Sequence, residues 1–245
     1  MTNLPAGAAR TGECRGGRVR PSPGNNSSAN ENRSMNGSKS PRRTQAERSG
    51  QTQDRVIDAA IELLRQKGYA GFRVADVTDL AGVSRGAQSH HFPTKVSLVM
   101  AAFRRVFERS AEASRMRIDA LKPEDDVIKA IMADAEDYFF SKDMAIGLDM
   151  LGAGGRDPEL RSEAQEIAKS NRLMIENMWL AVLQKRGLTE QDAEDIVWLV
   201  MSMIRGLAVR MLWQRDQARF ERVLNMTHDA AMQIYQRHHS PLSDE

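Results

Sequence analysis

Cysteine is all but missing from this chain. The single Cys14 lies in a polar stretch, so no intrachain disulfide can form, and a reducing compartment such as the cytoplasm is expected. Long apolar runs are missing too. No eighteen consecutive apolar residues occur, and no basic start leads into a short apolar core, so neither a membrane span nor a cleaved signal peptide is expected. No stretch alternates apolar and polar residues with period two, which removes strands, and no repeat of fixed length appears. The motifs of catalysis are absent as well. The histidines, His90, His91, His228, His238 and His239, form no His-Glu-x-x-His pair, and none stands at metal spacing from the cysteine. There is no nucleophile elbow and no dinucleotide fingerprint. Gly152-Ala153-Gly154-Gly155 is not a phosphate loop, because no strand precedes it and no Gly-Lys-Ser/Thr follows. Asp125-Asp126 and Asp192/Glu194/Asp195 fall near helix starts, where negative charge suits the helix dipole better than acid–base work. The expectation is a protein that is not an enzyme and needs no metal or cofactor.

What is present is a charge gradient and a helical pattern. Residues 1–50 carry nine Lys/Arg against three Asp/Glu, and residues 121–245 carry fifteen against twenty-two. A basic front and an acidic back suit a chain that offers one end to a polyanion. Residues 1–43 are rich in Gly, Pro, Ser, Asn and Arg and have almost nothing to bury, which predicts a disordered tail. Its end, Lys39, Arg42 and Arg43, either stays solvated or follows DNA as N-terminal arms do. Residues 1–34 are expected to be dispensable, with Met35 a natural start before a short basic lead.

The most informative stretch is Arg73 to Lys95. A short apolar pattern (Val74, Val77, Leu80) ends in Ala81-Gly82-Val83, Ser84 supplies an N-cap, and a second short segment stops at Phe92-Pro93. Two helices this short cannot stand alone in water, because nucleation costs too much. They need packing partners, and that combination is a helix-turn-helix. Arg85 suits guanine O6/N7 and Gln88 suits adenine N6/N7. Gly86 removes a side chain where the backbone would approach DNA.

Ala81-Gly82-Val83-Ser84-Arg85-Gly86-Ala87-Gln88-Ser89-His90-His91-Phe92-Pro93-Thr94-Lys95 resembles the recognition-helix signature of the tetracycline-repressor (TetR) family, in which Ala-Gly-Val-Ser leads to His-Phe and then Lys. The close match covers roughly residues 55–98. The resemblance implies DNA contacts from Arg73, Ser84, Arg85, Gly86, Gln88, Ser89, His90, His91, Thr94 and Lys95, with Thr94 and Lys95 holding backbone phosphate. It implies double-stranded DNA, in the form of a palindromic operator, as partner, and a bacterial regulator of transcription acting as a homodimer. Three positions depart from the usual pattern. Phe72-Arg73 stands where Thr starts the turn helix, Gln88-Ser89 where Leu-Tyr is common, and Thr78 where a small Ala packs the two short helices. The operator sequence is therefore not carried over.

Around this head the chain reads as all-α. Thr44-Gln45-Ala46-Glu47 is a capping box, with a competing start near Thr52, for a helix carrying Val56, Ile57, Ala60, Ile61 and Leu64 and ending at Gly68. Further helices follow over residues 96–121, from Val127 to Phe139, from Met144 to Leu151, from Pro158 to Gly187, after Thr189, and from Phe220 to Ile234. The expected architecture is an N-terminal three-helix helix-turn-helix head (44–95) and a C-terminal helical domain (96–240) for effector binding and dimerisation. By resemblance the last two long helices pair with their symmetry mates, through Trp198, Met201, Ile204, Phe220, Val223, Leu224 and Ile234. A pocket is expected around Phe103, Phe107, Tyr138, Met144, Met150, Met174 and Met178, since methionines adapt to varied apolar shapes. Two readings stay open: a repressor released by a small apolar ligand, or an architectural or partner-controlled DNA binder without one.

Overall fold

The computed structural model describes residues 44–153 and 158–237; the stretch 1–43, with Cys14 and the start expected at Met35, lies outside them. Among the described residues the chain is all-α, with nine helices and no strand. Helix α1 (Gln45–Gly71) starts at the capping box: Thr44 Oγ1 accepts from the Glu47 N–H at 3.2 Å and the Glu47 carboxylate accepts from the Thr44 N–H at 2.8 Å. Its apolar stripe Val56, Ile57, Ala60, Ile61 and Leu64 is buried. Gly68 bends it, with φ 63° and ψ 178°, and a Cβ there would meet Asp149 Oδ2 at 2.9 Å. Left-handed backbone and a close carboxylate both demand glycine. One more turn then runs to Gly71, so the helical segment outlasts its expected stop.

Helix α2 (Val74–Ala81) ends at Gly82, whose φ of 62° and ψ of 41° are left-handed, and the Val83 N–H donates to the Thr78 carbonyl at 3.1 Å. That turn sets α3 (Arg85–His91). Helix α4 (Lys95–Asp119) is capped by Thr94 and Ser97 reciprocally. There follow α5 (Val127–Phe139), capped by Asp126, α6 (Lys142–Ala153), α7 (Pro158–Lys185), α8 (Glu190–Arg210), capped by Thr189, and α9 (Gln217–Gln236). None of the described helices is long and apolar enough to cross a membrane.

Two apolar cores organise the helices. The first gathers α1, Phe72, Val77 and Ala81 of α2, Phe92 and the first half of α4, and it also takes Ile146 and Met150 from α6 and Leu160 and Ala164 from α7. The second joins α5, Trp179 and Leu183 of α7, Leu188, α8 and Ala231 of α9. The helix-turn-helix is therefore packed in one core with parts of the C-terminal helices. Polar ties cross the same seam: Arg65 of α1 grips Asp143 of α6 through Nε at 2.6 Å and Nη2 at 2.9 Å, and the Tyr69 N–H donates to Asp149. Partly exposed ion pairs contribute about 0–1 kcal/mol, whereas each buried large apolar side chain contributes about 1.5–3 kcal/mol. Ile146, Met150 and Leu160 hold the seam; Arg65–Asp143 orients it.

Candidate nucleic-acid interface and internal cavity

The helix-turn-helix presents a polar face. Ser84 caps α3 by accepting from the Ala87 N–H at 3.2 Å, and Ser84, Arg85, Gly86, Ser89 and His90 are exposed. A Cβ at Gly86 would meet no atom within 4 Å, so packing inside the chain does not require glycine there. Arg73, at the N-cap of α2, is exposed and makes no capping bond. His91 is half-buried, its ring 5.4 Å from that of His90. Gln88 differs from expectation. It is 4% exposed, and its Nε2 donates to the Phe92 carbonyl at 2.7 Å, closing the C-terminal end of α3. Its amide edge is spent inside the head and does not stand among the groups offered to bases. The departure at Thr78 has a similar account: the side chain is buried, and its hydroxyl donates to the Ala75 carbonyl at 2.8 Å.

Thr94 and Lys95 sit at the first turn of α4, beside α3. Thr94 is exposed, while the Lys95 ammonium folds back over the end of α1. Its Nζ donates to the Tyr69 carbonyl at 2.9 Å and lies 4.3 Å from the centre of the Tyr69 ring. Burial lowers its pKa from the ordinary lysine value, with Asp149 opposing.

Behind the head lies a cavity of about 180 Å³. Phe103, Phe107 and Ser110 of α4 form one wall, with Ala135, Tyr138 and Phe139 of α5 beside them. Met144, Gly147 and Leu148 of α6, Ala168, Asn171 and Ile175 of α7, and Met201 and Arg205 of α8 complete the lining. Phe103 and Phe107 meet edge to face at 4.8 Å, and Phe107 and Tyr138 lie 5.7 Å apart. Burial pushes the Tyr138 phenol well above its usual pKa, and the Asp143 charge adds to this, so it stays a neutral hydroxyl at any physiological pH. Asp134 is buried at the wall, its Oδ2 accepting from Ser114 Oγ and from Trp179 Nε1, both at 2.8 Å. It pins α4, α5 and α7 together.

Of the residues expected at a pocket, Phe103, Phe107, Tyr138 and Met144 line this cavity. Met150 is fully buried in the first core instead, Met174 stands in an outer groove between α4 and α7, and Met178 lines neither. Asn171 and Asp134 are lining groups that sequence reasoning missed. The signal for Asn171 was there: it is a polar residue on the otherwise apolar stripe of α7.

The expected dimer face divides in the same way. Trp198 is 63% exposed, and Leu212, Trp213 and Met226 are equally bare, large apolar side chains left in solvent on α8, the turn after it and α9. Val223, Leu224 and Ile234 are half-buried. Ile204 and Phe220, by contrast, are buried within the chain itself, and Met201 turns toward the cavity.

Residues 56–102 match the family model of bacterial regulatory proteins, tetR family. Over 194 residues, 79% of this chain and 96% of the relative, the sequence is 55% identical to the HTH-type transcriptional regulator CymR of Pseudomonas putida. An uncharacterized HTH-type transcriptional regulator of Mycobacterium tuberculosis is 25% identical over 167 residues, covering 68% of this chain and 86% of its own length. A TetR-family regulator from Cytophaga hutchinsonii shares the fold with a TM-score of 0.59 at 16% identity, over 76% of this chain and 96% of that one.

Proposed function

Because this chain belongs to the tetR family of bacterial regulatory proteins and is a DNA-binding transcriptional regulator of the helix-turn-helix type, we propose that it works as a homodimeric repressor that holds a palindromic operator and lets go when a small apolar ligand fills the cavity. One observation carries the reading. The cavity is walled by α4, whose first turn lies beside the recognition helix α3, and by α6, whose other side grips the end of α1. A ligand that spreads these walls moves the head at two attachment points. In this reading Arg73, Ser84, Arg85, Gly86, Ser89 and His90 face the major groove, and Thr94 and Lys95 hold the backbone. The bare side chains of Trp198, Leu212, Trp213 and Met226 meet a second copy. Two heads then sit on half-sites roughly 34–36 Å apart.

The ligand acts only through unequal affinity for the DNA-fitting and non-fitting states. A hundredfold release needs about 2.7 kcal/mol of coupling, and operator DNA must weaken ligand binding by the same factor. The partner-controlled reading draws on the cavity's size, since ordinary small-molecule pockets start at about 300 Å³. Selecting bound sites from random or genomic DNA, then screening compounds for release of the selected site, tests the proposal. The expected result is a palindrome bound by two chains and freed by small apolar compounds. A site bound by one chain overturns the dimeric part; a selected palindrome that no compound frees shifts the assignment to partner control.

A further inference from the structure

A carboxamide buried in protein is ordinarily hydrogen-bonded, because a lone buried acceptor forfeits the bonds it had in water. Among the described residues, Arg117 Nε and Asn171 Oδ1 are buried without a hydrogen-bond partner. The first is compensated by charge, since it lies 3.4 Å from Asp134 Oδ1 and the same guanidinium pairs with Asp137. Asn171 has no such compensation. It is 7% exposed, sits on the wall of the cavity, and has Ala168 and Ile175 beside it on α7.

We propose that the cavity takes a neutral, single-ring molecule bearing one hydroxyl or amide group, and that the Asn171 carboxamide is what selects that group. This deepens the effector reading above and rests on it. Size suits a single ring: a cavity of about 150 Å³ accepts benzene, and this one is about 180 Å³. The wall comes second, being built largely from Phe103, Phe107, Ala135 and Ile175, with Ser110, Tyr138 and Asn171 as its neutral polar groups, of which only Asn171 has a buried atom without a partner. Charge comes third. The charged lining groups are two carboxylates, Asp134 and Glu176, and two guanidiniums, Arg172 and Arg205, so neither sign is favoured. Asp134 is taken up by Ser114 and Trp179, Arg172 and Glu176 pair with each other at 3.7 Å, and Arg205 reaches Ser202 at 3.4 Å. Asn171 offers an acceptor and, with the amide turned over, a donor in the same place. A hydroxyl or amide both donates and accepts, so it satisfies either orientation. A hydrocarbon leaves the amide unpaired, and a site with an unpaired buried amide discriminates strongly against the ligand that fails to fill it.

The test uses the full chain and two probes of nearly equal shape, 4-methylphenol and 1,4-dimethylbenzene, with affinities measured by calorimetry. The wild type is expected to bind the phenol at least tenfold more tightly. In Asn171→Leu that order reverses, since the hydroxyl then enters an apolar site unpaired. Asn171→Ala, which opens space and adds no bulk, reverses it too and guards against misfolding of the leucine variant. Equal or tighter binding of dimethylbenzene by the wild type overturns the assignment to Asn171 and leaves the cavity as a ligand site. A phenol preference retained in both variants also overturns it. Failure of the folded wild type to bind either probe overturns the assignment and the effector reading together.

Discussion

The Gln88 carboxamide donates to the Phe92 carbonyl inside the head, and removing one partner of a buried hydrogen bond costs about 1–3 kcal/mol. Gln88→Ala should therefore lower the melting temperature and leave base preference within the operator unchanged. A preference relaxed at one base pair, with melting unaltered, would return Gln88 to the reading face. Lys95 poses the complementary problem. Its ammonium is held by the Tyr69 carbonyl and ring in the free chain, so gripping a phosphate means leaving both. Lys95→Met keeps an apolar stem of similar length at this site and removes the ammonium, with its bond to the Tyr69 carbonyl. If Lys95 does reach phosphate, operator affinity falls alike on all sequences and the salt slope becomes shallower by about 0.9. An unchanged slope would mean that Lys95 serves the end of α1 and never touches DNA.

Between elements, the tie that matters is α6 to α1. Asp149 accepts from the Tyr69 N–H just past the bend at Gly68, while Met144, Gly147 and Leu148 of the same helix line the cavity. Asp149→Ala should leave ligand affinity in the absence of DNA within about twofold and cut a hundredfold release to below about tenfold. Titrating ligand with and without operator measures both, and an undiminished release factor rules α6 out as the route. This route was not legible in the sequence. Caps were, at Thr44 and Ser84, because a cap is a bond between residues three apart. The turn at Gly82 was, because only glycine takes that backbone easily. Apolar stripes were legible as buried, but a stripe does not say which interior it faces: Met144 borders the cavity and Met150, six residues on, fills the first core. Side-chain direction at Gln88 and the carboxylate beside Gly68 depend on contacts about eighty residues apart or on a single rotamer, and no local pattern encodes either.

At the scale of the molecule, exposed tryptophans are the feature most in need of a partner. Trp198 of α8 and Trp213, three residues past its end, stand 63% and 69% exposed. Changing both to glutamate should leave the melting temperature of the single chain nearly unaltered and shift sedimentation from dimer to monomer at micromolar concentration, with loss of operator binding. A wild-type monomer, free and on DNA, would refute the interface. The first core carries one more consequence. Because Ile146, Met150, Leu160 and Ala164 complete the packing around α1, α2 and α4, the reading head has no closed interior of its own. Such a head is not a cassette. Grafting residues 44–95 onto another relative's body would strand the apolar side chains that now pack against α6 and α7, so new operator specificity has to be written on the exposed side of α3, with the inner seam and its α6 counterpart travelling together.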